Sequence, residues 1–133
     1  MNDVVRILIA EEDPITALDF EKTLVSMGYE IIAIVKSGEG LLREIEKEIP
    51  TLIITDINLD GELDGIEAIV KIQKIYPYIP FIYVTAFQDF DHAVEKYNLR
   101  PCDYLMKPVL ASRLQKIVID CLEKNYPEKR TVT

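Results

Sequence analysis

Cysteine, tryptophan and histidine are scarce in this chain. Its 133 residues include two cysteines, one histidine and no tryptophan. The cysteines, Cys102 and Cys121, are too few and too far apart in sequence to indicate a disulfide framework or a metal knuckle. Cys121 falls on an apolar helical stripe, so we interpret it as a buried, reduced thiol.

Positive charge and long apolar runs are also lacking. Fifteen Lys and Arg against 23 Asp and Glu give a formal net charge of −8, so we expect no direct nucleic-acid binding. The longest wholly apolar stretch, residues 31–35, is far shorter than a membrane span. The first three residues lack the basic start and apolar run of a signal peptide. These absences predict a cytoplasmic protein without a membrane segment.

Hydrophobic residues nevertheless make up 49% of the chain, enough for one globular domain with a core. Short apolar runs alternate with longer amphipathic segments from end to end. The runs predict five buried strands, at residues 4–10, 31–35, 52–55, 81–85 and 104–106.

The segments between and after these runs predict five helices. Asp13 and Pro14 suit a helix start, and Gly28 a helix stop. Ser37 suits the cap of the second helix, and the third is predicted over residues 64–76. We expect inward-facing side chains at Ile15, Leu18, Leu24 and Val25 in the first helix, Leu41, Leu42, Ile45 and Ile49 in the second, Phe90, Ala93, Val94 and Tyr97 in a short fourth, and Leu110, Leu114, Ile117, Val118, Cys121 and Leu122 in the fifth.

Buried strands joined by helical crossovers indicate a parallel sheet covered on both faces. We therefore predict one α/β domain over residues 1–126. The remaining residues, 127–133, are polar and are expected to form a C-terminal tail or the start of a linker.

Ligands of an open parallel sheet bind beyond the carboxyl ends of its strands. Carboxylates gathered there repel one another unless a cation neutralises them, and Mg²⁺ prefers carboxylate and phosphate oxygens. Carboxylates, a hydroxyl and a lysine at one point are the groups needed for phosphoryl transfer to an aspartate. The predicted strands deliver Glu11, Glu12 and Asp13 after the first, Asp56 after the third, Thr85 after the fourth and Lys107 after the fifth.

With these residues in place, the chain resembles the receiver domain of two-component response regulators over roughly residues 5–124. The resemblance implies a flavodoxin-like (βα)5 fold, a doubly wound parallel five-stranded sheet of strand order 2-1-3-4-5. Five motifs in order carry it: Ile7-Leu8-Ile9-Ala10-Glu11-Glu12-Asp13-Pro14, Leu52-Ile53-Ile54-Thr55-Asp56, Asp64-Gly65-Ile66-Glu67, Val84-Thr85-Ala86 and Tyr104-Leu105-Met106-Lys107-Pro108.

The resemblance also implies a role for each site residue. Asp56 would be the phosphoacceptor, and Lys107 would contact the phosphoryl group. Mg²⁺ would be the cofactor, with Glu12 as a direct ligand and Glu11 acting through water. Asn58 would offer its backbone carbonyl to the metal.

Other positions match the parts of the family that respond to phosphorylation. Thr85 would be the switch hydroxyl, and Tyr104 the aromatic side chain that turns inward with it. Ala86 would leave room for access to the acyl phosphate, and the Lys107–Pro108 peptide would be cis.

The chain departs from the family pattern in two places. Glu12 stands where the metal-ligating acid is normally Asp, and its extra methylene adds about 1.5 Å of reach. Asp13 is close enough to substitute as the ligand. The loop after Asp56 is one residue longer than the commonest pattern, with Asp60-Gly61 where Pro-Gly is frequent.

The resemblance implies a phosphorylation-activated receiver that catalyses its own modification and is not a turnover enzyme. Its donor would be a sensor histidine kinase or a phosphotransfer protein. Its output domain or partner, or a second copy of the chain, would bind the face of helix 4, strand 5 and helix 5. Two alternatives are a phosphate-independent pseudo-receiver and an Asp-dependent phosphatase. The phosphatase motif needs a second acid where Asn58 stands.

Overall fold

The computed structural model describes residues 4–86 and 97–127. All neighbouring strands pair in parallel, in the order β2-β1-β3-β4-β5, which confirms the predicted doubly wound sheet. The elements in these residues are β1 (Arg6–Ala10), α1 (Pro14–Ser26), β2 (Glu30–Val35), α2 (Gly38–Lys47), β3 (Leu52–Asp56), α3 (Gly65–Ile75), β4 (Phe81–Thr85), β5 (Asp103–Met106) and α4 (Ala111–Asn125).

Helix α4 corresponds to the fifth predicted helix. Of the predicted short helix, Phe90, Ala93 and Val94 lie outside the described residues, as do residues 128–133 of the predicted tail. Its last marker, Tyr97, is in a turn and is exposed, so its predicted inward orientation was wrong. Within the described ranges, no helix is both long enough and apolar enough to cross a bilayer.

The core consists of two layers of apolar side chains, one on each face of the sheet. Successive strand residues point to opposite faces, so Leu8 and Ile53 pack toward α2 and α3 while Ile9 and Ile54 pack toward α1 and α4. The inner strands β1, β3 and β4 are buried almost throughout. Polar chemistry is therefore confined to the ends of these strands.

The predicted inward face of α1 was wrong in part. Ile15, Leu18 and Val25 are exposed, and only Leu24 is buried as expected. Asp13 caps the helix and Pro14 begins it, as predicted, so the error lies in the choice of face and not in the start of the helix. The buried side has the i, i+3, i+7 spacing of one helical face. It consists of Ala17, Phe20 and Leu24.

Two further apolar positions lie just beyond the helices to which they were assigned. Ile49 follows the end of α2 at Lys47, and Leu110 is the residue before the first turn of α4. Both side chains are exposed, because neither is held on the buried stripe of its helix. The remaining predicted α4 positions pack on the sheet.

A disulfide joins Cys102 to Cys121, so the interpretation of Cys121 as a free thiol was wrong. Cys102 immediately precedes β5, and Cys121 lies in the last turns of α4. A crossover helix runs back along the sheet, so its end returns to the level where the preceding strand began. The two Cα atoms are 5.9 Å apart despite a sequence separation of 19, within the range that a disulfide spans.

We expect the disulfide to stabilise the fold measurably. Closing a loop of 19 residues removes chain entropy from the unfolded state worth about 3 kcal/mol. Cys102→Ser, at the less buried end of the link, should lower the free energy of unfolding by about this amount in urea titrations without reductant. Reductant should do the same to the wild type and nothing to the variant. Equal stability of oxidised and reduced wild type would contradict the expectation.

Candidate functional site

Lys107 brings together carboxylates from two strands. Its Nζ atom lies 2.6 Å from Oδ2 of Asp56 and 2.9 Å from Oε1 of Glu11. The side chains of Glu11 and Asp56 are only 1% and 8% exposed, whereas that of Lys107 is 23% exposed. The ammonium therefore reaches two buried charges from the solvent side. Burying either carboxylate without a cation would cost several kcal/mol.

The sheet register explains why these three residues meet. Ala10 pairs with Thr55 across β1 and β3, so the residues that follow them, Glu11 and Asp56, are neighbours. The Lys107 backbone N–H donates to the Thr85 carbonyl at 2.8 Å, which continues the ladder between β4 and β5. Lys107 thus emerges at the same edge of the sheet. The Lys107–Pro108 peptide is cis, as the resemblance implied.

Burial and pairing act in opposite directions on these groups. Burial raises the pKa of Glu11, and the hydrogen bond from Lys107 offsets this effect only in part. Burial lowers the pKa of Lys107, but its hydrogen bonds to Asp56 and Glu11 outweigh burial and raise that pKa above the ordinary value. Lys107 is therefore a permanent cation at neutral pH.

The second oxygen of Asp56 is held by the segment that follows it, residues 57–64, which we call the acceptor loop. The Asn58 backbone N–H donates to Oδ1 of Asp56 at 3.2 Å. At the far end of the loop, the Gly65 N–H donates to the Ile57 carbonyl at 2.8 Å. A Cβ atom on Gly65 would lie 1.9 Å from the Asp56 carbonyl oxygen, so only glycine fits there.

Glu12 and Asp13 differ in what their carboxylates contact. A hydrogen bond shared with the Asp60 carboxylate of the acceptor loop raises the pKa of Glu12 above its ordinary value, and burial and repulsion from Asp60, Asp56 and Glu11 raise it further. Asp13 instead caps α1, accepting from the Thr16 N–H at 3.1 Å. Hydrogen bonds from Thr16 lower the pKa of Asp13. Asp13 is therefore engaged in its own helix, while Glu12 faces the acidic edge.

The remaining predicted site residues follow β4 and line β5. Thr85 ends β4 and is buried, and Ala86 after it is exposed. Tyr104 is half-buried in β5, opposite Tyr83, and their ring centroids are 6.4 Å apart in a stacked arrangement. Thr85 thus lies at the same edge as Asp56, one strand away.

Comparison with known proteins places this geometry in a family. Residues 7–119 match the family described as the response regulator receiver domain. This chain belongs to that family. Receiver domains act in two-component signalling, and the chain is such a domain.

Related receivers are similar in sequence and in fold. The response regulator protein FleR of Pseudomonas aeruginosa is 34% identical over 85% of this chain and 24% of its own length. The transcriptional regulatory protein GlrR of Escherichia coli is 31% identical over 91% of this chain and 27% of its own length. A CheY-like receiver structure from Methanospirillum hungatei has 28% identity and a TM-score of 0.85, covering 95% of this chain and 99% of that one. The chain thus spans about a quarter of the two curated relatives.

The donor set of this receiver suits a hard cation, because carboxylate and carbonyl oxygens are the ligands that Mg²⁺ prefers. Asp56, Glu12 and the Asn58 carbonyl are the residues that could hold it. In the described part of the chain, no three His, Cys, Asp or Glu side chains are grouped as a preformed metal cage. This is consistent with Lys107 holding Glu11 and Asp56 while Glu12 contacts Asp60. The oxygen chemistry fits Mg²⁺ with water completing its coordination.

Sequence reasoning placed Glu11, Asp56 and Lys107 at one edge but missed the interaction of Glu12 with Asp60. Asp60 was noted only as part of a longer loop. The extra residue in the loop after Asp56 was the signal that could have indicated this. A longer loop beside the carboxylates at the edge of the sheet must lie against a neighbouring segment.

We expect Asp60→Asn to lower the pKa of Glu12 toward its ordinary value, because the contact with Asp60 is the largest cause of the raised pKa. A folded-state pKa above the unfolded one means that stability falls as pH rises from the ordinary value through the raised pKa. Asp60→Asn should reduce this fall. Carboxyl ¹³C NMR titration of Glu12 without Mg²⁺ measures the first effect, and urea unfolding across the same pH range measures the second.

The matched control is Glu62→Gln, which also neutralises one acid in the acceptor loop. It should leave the Glu12 titration where it is in the wild type. An unchanged Glu12 pKa in Asp60→Asn would show that the two carboxylates do not interact in solution.

Proposed function

We propose that this receiver accepts a phosphoryl group on Asp56 from the phosphohistidine of a sensor histidine kinase or a phosphotransfer protein. The observation that carries the proposal is the convergence on Asp56 of the Lys107 ammonium and the Asn58 N–H. One carboxylate oxygen thus has a cation beside it, and the other a backbone donor. Both groups are positioned where negative charge accumulates during phosphoryl transfer.

In the proposed step, an oxygen of Asp56 forms a bond to phosphorus while the phosphorus–nitrogen bond of the donor breaks. The electron pair of that bond stays on the imidazole nitrogen, which takes up a proton. The product is an acyl phosphate, and its hydrolysis by water returns the carboxylate. Because Lys107 also contacts Glu11, its ammonium can turn to a phosphoryl oxygen without losing its second anchor.

We propose Mg²⁺ as the cofactor, held by Asp56, Glu12 and the Asn58 carbonyl, with Glu11 acting through water. When bound, Mg²⁺ neutralises charge on the phosphoryl oxygens. The capping role of Asp13 favours Glu12 over Asp13 as the direct ligand. Around the cation, the chain orients Asp56 through Asn58 and supplies the fixed charge of Lys107.

Phosphorylation would bias a two-state equilibrium through Thr85 and Tyr104. Thr85 lies beside the acceptor strand, and Tyr104 lies on β5, the edge strand of the sheet. We propose that the face formed by predicted helix 4, strand 5 and the last helix binds the output domain or partner, or a second copy of the chain. GlrR is named as a transcriptional regulatory protein, and we propose an output of that kind here.

We propose residues 1–126 as the receiver unit, residues 127–133 as a tail or linker start, and the cytoplasm as its location. The Cys102–Cys121 disulfide lies at the opposite end of β5 from Lys107, so the proposed function does not depend on it. Asn58 stands where an Asp-dependent phosphatase needs its second acid, which disfavours that alternative. The contacts of Lys107 with Asp56 and Glu11 disfavour a phosphate-independent pseudo-receiver.

Incubation with Mg²⁺ and acetyl phosphate, a small phosphodonor, tests the proposed acceptor. Intact-mass measurement should show one added phosphoryl group on the wild type and none on Asp56→Asn, which keeps the shape of the side chain but lacks the nucleophile. An adduct that persists in Asp56→Asn would refute the assignment. Absence of any adduct on a wild type that binds Mg²⁺ would favour a very short-lived phosphoryl group or the pseudo-receiver.

Mg²⁺ should stabilise the fold by relieving repulsion among the carboxylates, by about 1.4 kcal/mol at ten times its dissociation constant. Thermal unfolding of each protein with and without Mg²⁺ measures this gain. Glu12→Ala should reduce the gain more than Asp13→Ala, even though Asp13→Ala also removes a helix cap and lowers the baseline. The reverse order would identify Asp13 as the ligand, and no shift in the wild type would count against the metal site.

A further inference from the structure

The acceptor loop lies along the connection between β2 and α2, which no expectation from the sequence included. The Asp60 N–H donates to the Lys36 carbonyl at 3.2 Å, and the Gly38 N–H donates to the Leu63 carbonyl at 3.0 Å. Ser37 and Asp60 form a parallel bridge. A Cβ atom on Gly38 would lie 2.6 Å from the Leu63 carbonyl oxygen, which shows how closely the two backbones approach.

One side chain, Glu39 in the first turn of α2, fixes the far half of this loop. Its Oε2 atom accepts from the Glu62 N–H at 3.0 Å, and its Oε1 atom accepts from the Leu63 N–H at 3.3 Å. Gly61, within the acceptor loop, has φ of +93°, and a Cβ there would lie 2.9 Å from Oε1 of Glu39. The glycine therefore permits both the turn and the approach of the carboxylate.

The Glu39 carboxylate is charged when it makes these contacts. Hydrogen bonds from its own backbone N–H and from those of Glu62 and Leu63 lower its pKa. Hydrogen bonds to a charged acceptor are stronger than neutral ones. Glu39 contributes to neither apolar layer of the core, so these contacts hold the loop and not the sheet.

We propose that Glu39 is a positioning residue of the acceptor site, acting through the backbone of the acceptor loop. It would keep Asn58 beside Asp56 and Asp60 beside Glu12, the arrangement in which the site binds Mg²⁺ and accepts a phosphoryl group. This inference rests on the proposed function. The loop is anchored near Asp56 by Asn58 and at its end by Gly65, and Glu39 supplies the side-chain anchor between them.

The expected size of the effect follows from the population of the binding-competent loop. If loss of Glu39 leaves this conformation populated about one-fifth of the time, the apparent dissociation constant for Mg²⁺ rises about fivefold. Glu39→Ala should show this full effect. Glu39→Gln should fall between Glu39→Ala and the wild type, because its amide offers one neutral oxygen where the carboxylate offers two charged ones.

The experiment compares Glu39→Ala and Glu39→Gln with Glu46→Ala and Glu46→Gln. Glu46 is exposed on the same helix, so both sets remove equal charge near α2. Calorimetric titration gives the dissociation constant for Mg²⁺, and acetyl phosphate gives the rate of adduct formation. Amide hydrogen exchange at Glu62 and Leu63 reports the contacts directly, and thermal unfolding reports stability.

We expect faster exchange at Glu62 and Leu63, weaker Mg²⁺ binding and slower adduct formation in the Glu39 variants, with none of these changes in the Glu46 variants. Unchanged exchange at both amides would overturn the proposal at its first step. Faster exchange with unchanged Mg²⁺ affinity and rate would also overturn it, because Glu39 would then be structural only.

These outcomes are distinguishable from failure of the proposed function. That failure would appear in the wild type itself, as absence of an adduct removed by Asp56→Asn. Amide exchange and Mg²⁺ titration do not depend on phosphoryl transfer, and they would still report on Glu39.

Discussion

Two carboxylates can remain buried at the edge of this sheet because a lysine ammonium lies between them. Glu11 and Asp56 come from neighbouring strands, and neither is accessible enough for water to solvate its charge. Lys107 reaches the same edge from β5, two strands away from Asp56, since β5 pairs with β4 and the ladder continues to its backbone N–H. The order of the strands thus determines which charged side chains lie next to one another. Any topology that moved β5 away from β4 would leave the pair uncompensated.

The acidic edge divides into two parts of different character. Glu11 and Asp56 share a cation supplied by the chain. The pKa of Glu12 is raised because a protonated Glu12 can share a hydrogen bond with Asp60, whereas two charged carboxylates there repel each other. The first pair is neutralised by a side chain of the protein itself. Glu12 and Asp60 have no such partner side chain among the described contacts, so a cation from solution would lower the repulsion between them. This part of the edge therefore suits a cation that binds reversibly.

The fold was largely predictable because it depends on patterns repeated along the whole chain. Alternation of buried runs and amphipathic segments predicted the strands and helices, and the resemblance to receivers predicted the strand order. Asp56 and Lys107 were predictable for a related reason, since each directly follows a strand whose position the fold determines. When a strand can be predicted, the position of the residue that follows it can be predicted too.

The misses have the opposite character. The start of α1 was predicted correctly, but which of its faces packs on the sheet depends on the neighbouring elements, and four apolar residues in the sequence did not determine it. The contact of Cys102 with Cys121 depends on how far α4 runs back before it ends. Glu39 reaches its partners through two irregular segments whose backbones lie side by side. Each depends on distances between elements, which local composition does not encode.

The tight contact between Gly65 and the Asp56 carbonyl determines where the acceptor loop can change in length. Because α3 begins against the backbone of Asp56, its start cannot move when the preceding loop changes length. Ile57 and Leu59 pack on the core, so an added residue is best accommodated after them, where the loop lies against α2. Protein engineers who wish to graft a sensor peptide next to the acceptor have a segment with both ends already fixed.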